Sequence, residues 1–271
     1  MTIHVRAPAT TANIGPGFDC AAAALDLWNE LEVEDGEEEP DVSHLGVRAF
    51  ARLASPEGKR FRFTDRIPRA RGLGSSAAVI ALGLVAGARM AGIDPDPERL
   101  LAEGIELEGH PDNLAAALAG GVTLTWEDRI VQVSDRLPAV PIGIVPESTV
   151  STAAARNSLP ESVPHADAAF SVGRAALLGA AVAQGSAELF GAALHDRIHE
   201  PYRAAKAPLL KAVREGLPDG ALGATLSGSG PTVIVWAREE AADSCEAALA
   251  AAHTDATVIR FTVSTQGACA A

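Results

Sequence analysis

The stretch IPRARGLGSSAAV, residues 67–79, decides how the rest of the chain is read. Gly72 and Gly74 let the backbone take positive φ and approach a ligand closely. The residues that follow, 75–91, are Ala, Val, Leu and other small or apolar types with no charge before Arg89, which predicts a helix buried on most sides. A glycine loop running straight into such a helix aims the first-turn amides at one point, with the positive end of the helix dipole behind them. That arrangement predicts a phosphate site. Ser75 and Ser76 are read as capping the helix and adding hydroxyls, and Ser76 is placed to ligate magnesium.

Composition fits a phosphate held by backbone groups. The chain has 271 residues, 48% hydrophobic and 21% charged, enough for a sizeable core in one large or two modest domains. A formal charge of −13 argues against nucleic acid or an anionic membrane surface as partner, so an anionic ligand has to be gripped locally. The only lysines are Lys59, Lys206 and Lys211, none beside a glycine-rich loop, which rules out a Walker A lysine. Cys20, Cys245 and Cys269 are odd in number and lack a CxxC pair, as expected of reduced thiols in a cytoplasmic protein without zinc. No run of about 18 apolar residues occurs, and residues 1–6 read as a short strand, so secretion and membrane spanning are disfavoured. The acidic run 30–41 is read as a solvated strand end and loop.

Alternation in residues 3–8 and 27–34 predicts two half-buried strands flanking a turn at 15–17, with a third strand at 61–65. A helix starts after Asp94, Pro95 and Pro97 and runs toward Glu108, a short buried helix covers 114–118, and Gly120-Gly121 ends it before a strand at 122–126. A proline-bounded strand at 138–146 follows, and a domain boundary is expected just before it, dividing the chain into 1–137 and 138–271. Helices are expected at 165–184, 186–199 and 208–215, then two strands joined by a glycine-rich turn, a helix at 239–252 and a strand at 256–263. Strands mixed with helices in both halves, without a regular βαβ repeat, indicate an α+β fold.

Three blocks together resemble the GHMP kinases: GLGSSA at 72–77 after Pro68, APATTANIGPGFD at 7–19, and LSGSGPT at 226–232. They stand in family order and cover nearly the whole length. The resemblance implies an N-terminal ATP-binding domain with the ribosomal-protein-S5-like fold, a C-terminal ferredoxin-like domain, an active site between them, and a possible homodimer. It also implies ATP and Mg2+, with Pro68, Arg71, Gly72, Leu73, Gly74, Ser75, Ser76, Ala77 and Ser229 around the nucleotide. Gly228 and Gly230 make a tight turn that can pack against the phosphate loop.

EGHPDN at 108–113, followed by AAALAGG, is similar to the corresponding stretch of homoserine kinases. That implies L-homoserine as the phosphoryl acceptor, in threonine biosynthesis, with Glu108 and Ser76 on magnesium and Glu106 as the rival carboxylate. His110, Asp112 and Asn113 then face the amino acid and its hydroxyl. Arg156 and Arg203, in STAAARNSLP and DRIHEPYR, match arginines that clamp a carboxylate, for which a guanidinium fork is suited. Asp19, with Asn13 nearby, matches a group at the other end of the substrate that neutralises its ammonium, and Thr152 lines the same pocket. Homoserine kinases are thought to lack a committed base, so catalysis is expected from positioning and charge neutralisation by Asn113, Arg156 and Ser76, the proton passing to the γ-phosphate. The region 31–60, where relatives hold adenine, is abbreviated and carries His44 where asparagine is common, leaving the adenine contacts unassigned. The alternatives are another kinase of the superfamily, acting on a mevalonate-pathway or sugar substrate, and a catalytically inactive member that binds a ligand.

Overall fold

The computed structural model describes residues 2–203 and 207–271, apart from the side chain of Thr152. Two antiparallel sheets carry the fold. In the first, β1 (Ile3–Asn13) pairs along its length with β2 (Gly17–Asp35), and β2 in turn pairs with β3 (Lys59–Thr64) and β4 (Val122–Trp126). β5 (Arg129–Ser134) adds to β4, giving the order β10-β1-β2-β4-β5, with β10 (Cys269–Ala270) returning the end of the chain to β1. The acidic strand end is more than solvated: Glu30, Glu32, Glu34 and Asp35 of β2 pair with Arg66, Arg62, Arg60 and Lys59 on and just after β3.

Four helices attach to this sheet. α1 (Leu45–Phe50) packs on α2 (Ser75–Met90), which lies on β1, and α3 (Pro97–Glu108) packs on α2 and α4 (Pro111–Ala119). α2 has twelve consecutive buried residues, Ala77 to Ala88, as its uncharged sequence demanded. α3 starts where Asp96 accepts the Arg99 N–H and Pro97 needs no amide partner.

The second sheet has β6 (Val140–Pro146), β7 (Ala221–Leu226), β8 (Val233–Ala237) and β9 (Ala256–Arg260) in the order β7-β8-β6-β9. Between β6 and β7 run α5 (Thr152–Arg156), α6 (His165–Gln184), α7 (Ala187–Ala193), α8 (Glu200–Arg203) and α9 (Pro208–Glu215), and α10 (Ala242–Ala252) joins β8 to β9. This is the split βαββαβ, ferredoxin-like order. β8 is buried on both faces: Ile234 and Trp236 join the main apolar core with Phe190 and Ile14, while Val233, Val235 and Ala237 face a second core with Ile142 and Leu210. One continuous core therefore runs from the first sheet into the second.

Several expected elements differ in extent. The strands expected at 3–8 and 27–34 are the outer halves of β1 and β2, whose inner halves are alanine- and threonine-rich and buried on both faces, without the alternation that betrays a strand. The helix expected at 186–199 stops at Ala193, because the Asp196 carboxylate accepts the N–H groups of Ile198, His199 and Glu200 and starts a separate turn. The last strand ends at Arg260, and Val263 makes only an isolated bridge to Leu25.

Candidate active site

Gly74 is the residue before α2 and adopts φ +64, and the helix has no side-chain cap. The expectation that Ser75 and Ser76 cap it is therefore corrected: both lie inside the first turn, and no side-chain hydrogen bond caps the helix. A Cβ on Gly74 would sit 1.8 Å from Thr10 Oγ1, and one on Gly72 would sit 2.2 Å from the Ser227 carbonyl oxygen, so both glycines are sterically required. The turn between β7 and β8 does pack on this loop, as the Ser227 hydroxyl donates to Gly72 O at 2.6 Å. A cleft of about 110 Å³ opens here, lined by Gly72, Gly74, Ser75, Ser76 and Ser229 and, across it, Glu108, His110 and Asn113.

Other residues expected around a nucleotide act from behind. Leu73 and Ala77 are fully buried and anchor the loop in the core, and Pro68 lies ahead of the cleft without lining it. Arg71 is turned away: its guanidinium donates to the carbonyls of Pro146 and Glu147, both at 2.8 Å, and so straps the loop to the end of β6. Guanidinium donors matched to two neighbouring carbonyls leave this arginine a strut.

Ser76 donates to the Glu108 carboxylate at 2.8 Å, so an alcohol and an acid meet beside the uncapped helix start. Burial pushes the Glu108 carboxyl up to about 7, although part of its side chain still reaches solvent. Glu106 points elsewhere and pairs at the surface with Arg52 at 2.6 Å. Asp112 is 3% exposed and accepts from the main-chain and side-chain N–H groups of Asn113, at 2.7 and 3.2 Å. Desolvation, with the Asp19 charge nearby, raises its carboxyl to about 6. Asn113 Oδ1 accepts from the Thr10 hydroxyl at 2.7 Å. His110 precedes α4 with no cap bond, and burial together with Arg156 holds its imidazole below the usual range, hence neutral.

Beside this group the Arg156 guanidinium meets both oxygens of Asp19 at 2.8 Å. Asp19 was expected at the opposite end of the substrate from the arginines; the structure joins them. An α-amino acid carries its ammonium and carboxylate on one carbon, so their receptors have to converge. Asn13 serves as a support, accepting from the Asp19 N–H at 3.0 Å and donating to Gly228 O at 2.9 Å. Arg203 is 3% exposed and also donates to Gly228 O, at 3.1 Å. The Nε atoms of Arg156 and Arg203 are buried without partners. Two guanidiniums converging on one aromatic ring make a cationic patch suited to an anionic ligand. Thr152 opens α5, but its side chain lies outside the described residues.

Sequence reasoning missed three residues here. Phe18 carries both guanidiniums over its ring, Arg203 at 5.2 Å and Arg156 at 5.7 Å. His199 stacks on the same ring at 5.0 Å. Thr10 orients Asn113. The spacing of His199 one helical turn before Arg203 was the signal available for the second of these. A further pocket, of about 270 Å³, lies where the abbreviated segment meets β3 and is lined by Pro40, His44, Val47, Lys59, Phe61 and Phe63. The His44 and Phe63 rings sit 4.2 Å apart, and His44 Nδ1 accepts from Gly46 N–H at the start of α1.

Comparison with known proteins bears on the family and the fold. The family model for the GHMP kinases N terminal domain matches residues 44–121, and that for the GHMP kinases C terminal matches residues 178–255. A homoserine kinase of Streptomyces coelicolor is 41% identical over 293 residues, covering 98% of this chain and 93% of that protein. One from a Synechococcus strain is 37% identical, covering 92% and 90%. The crystal structure of homoserine kinase from Cytophaga hutchinsonii superposes with a TM-score of 0.87 at 28% identity, covering 100% of this chain and 97% of that one. The phosphomevalonate kinase of Streptococcus pneumoniae shares the fold, with a TM-score of 0.71 at 14% identity over 97% and 100%.

Proposed function

Because this chain belongs to the homoserine kinase family of the GHMP kinases, we propose that it transfers the γ-phosphoryl group of ATP to the side-chain hydroxyl of L-homoserine, giving O-phospho-L-homoserine and ADP. The observation that carries the choice of acceptor is the convergence of the Arg156 and Arg203 guanidiniums over the Phe18 ring, with Asp19 bonded to the Arg156 Nη2. A sugar or a simple alcohol has no carboxylate for that fork and no ammonium for that acid. Each charge-assisted bond of this kind is worth about 1.5–3 kcal/mol.

In this reading Arg156 and Arg203 hold the carboxylate, and the ammonium replaces Arg156 as the partner of Asp19, with Asp112 beside it. The hydroxyl then reaches Asn113, whose Oδ1 is held by Thr10 and has a second lone pair to offer. The uncapped amides at the start of α2 receive the phosphates. We assign the base to the pocket lined by His44, Val47 and Phe63.

Ser76 and Glu108 fit Mg2+, since they offer two oxygen donors and no soft ligand, and leave room for phosphate oxygens and water. When bound, the ion neutralises phosphate charge. Glu108 has to release its proton to hold it. No carboxylate is committed to the acceptor hydroxyl, so its proton leaves with the transferred phosphoryl oxygens while the chain supplies alignment. Free cysteines at 20, 245 and 269 support a reducing, cytoplasmic setting.

The test is ADP release from ATP with L-homoserine, mevalonate and galactose assayed side by side. Turnover with L-homoserine alone is expected. Turnover of mevalonate or galactose without homoserine, or ligand binding with no ADP from any acceptor, overturns the reading.

A further inference from the structure

One fully buried imidazole lies against this cluster without touching the reaction. His199 has both ring nitrogens engaged: Nε2 lies 2.7 Å from the Gly15 carbonyl oxygen, and Nδ1 lies 3.2 Å from an Arg203 Nη atom. A carbonyl only accepts and a guanidinium only donates. The ring is therefore neutral, with its proton on Nε2 and a lone pair on Nδ1 facing Arg203. Burial holds its pKa below the ordinary imidazole value, against the opposing pull of Asp196 and Glu200. Asp196 fixes the backbone beneath it by accepting the His199 N–H at 2.7 Å, and Phe18 covers its face. The same Arg203 Nη1 that meets His199 also donates to Gly228 O, so two acceptors from different elements set the plane of this guanidinium while its Nε stays unmatched.

We infer that His199 is a positioning residue for amino-acid recognition, its Nδ1 lone pair and its stack on Phe18 holding the Arg203 guanidinium in the orientation that meets the substrate carboxylate. The inference rests on the reading of Arg203 as a carboxylate ligand. A free arginine side chain has to be ordered when it binds, and one already held avoids that entropy loss. His199 thus acts on KM for the acceptor, through Arg203, rather than on the phosphoryl transfer itself.

Two substitutions separate the roles of the two nitrogens. His199→Asn puts a carbonyl oxygen near the Nδ1 position and can still accept from Arg203; His199→Gln puts an amide nitrogen near Nε2, which serves Gly15 and offers Arg203 no acceptor in that place. Both remove the ring. We expect the Gln variant to raise KM for L-homoserine by at least about tenfold, with kcat and KM for ATP little changed, and the Asn variant to recover most of that loss. The wild-type preference for L-homoserine over L-homoserine amide should collapse in the Gln variant. Equal losses in the two variants, a parallel rise in both KM values, or an unchanged preference overturns the inference. In the unaltered enzyme, imidazole nitrogen NMR should find Nε2 protonated and Nδ1 bare, with Nδ1 moving when L-homoserine is added; a ring protonated on Nδ1 overturns it without any variant. Arg203→Ala is the control on the premise, since an unchanged KM for L-homoserine there would remove Arg203 as the carboxylate ligand and leave His199 with nothing to position.

Discussion

Replacing Asp112 by asparagine should stabilise the protein while crippling it. The carboxyl is 3% exposed, and desolvation raises it from 3.8 to about 6. At about 1.36 kcal/mol per pKa unit, that shift is worth up to about 3 kcal/mol. The unfolded carboxyl ionises near 3.8 and the folded one near 6, so between these values the folded state keeps a proton that the unfolded state has lost. Wild-type stability therefore falls as pH rises through that window, and the loss is complete above about pH 7. The amide of the Asp112→Asn variant cannot ionise, and its oxygen can still accept the Asn113 N–H. Urea unfolding at pH 4 and pH 7.5 should show the variant about equal to wild type at the lower pH and about 1–3 kcal/mol more stable at the higher. Its kcat/KM for L-homoserine should fall at least about thirtyfold, because the ammonium loses one of its two carboxylates. Equal stability differences at both pH values, or a variant less stable at pH 7.5, would refute the reasoning.

The remaining predictions concern the fork, the hydroxyl, the metal pair and the loop. Arg156→Ala should cut kcat/KM for L-homoserine by about 10²-fold or more in steady-state assays, and Asn113→Ala should lower kcat by about tenfold; full activity in the arginine variant removes it from the site. Because a proton and Mg2+ compete for Glu108, whose carboxyl sits at about 7, the apparent Mg2+ affinity should weaken roughly tenfold per pH unit as pH falls below that value, in Mg2+ titrations of the rate. Glu108→Gln should abolish that dependence together with most of the activity. Gly74→Ala forces a Cβ to 1.8 Å from Thr10 Oγ1 at φ +64, and should cost about 2–5 kcal/mol in urea unfolding while raising KM for ATP.

The glycine loop and α2 were legible in the sequence because an uncharged run as long as residues 75–88 has no stable place except inside a core. Gly72 and Gly74 before it could only mean a tight approach. Asp19, Arg156 and Arg203 were legible as members of motifs, but the contact of Arg156 with Asp19 was not, since it joins residues 137 positions apart. Arg71 shows the opposite case. Its place in the glycine motif drew it toward the nucleotide, while the free carbonyls of Pro146 and Glu147 decided where its donors went. His199 and Phe18 were hard to read because neither a buried histidine nor a half-buried phenylalanine has a sequence mark of its own beyond the one-turn spacing of His199 to Arg203. β5 escaped for a related reason: RIVQVS at a sheet edge has no fully buried residue, so burial imposes little pattern on it.

A crystal structure with a non-hydrolysable ATP analogue and L-homoserine is the most direct measurement. The β- and γ-phosphates should lie against the main-chain NH groups of Ser75 and Ser76, with the amino-acid carboxylate between Arg156 and Arg203 and its hydroxyl beside Asn113. A triphosphate bound away from that helix start, or a carboxylate touching neither guanidinium, would contradict it.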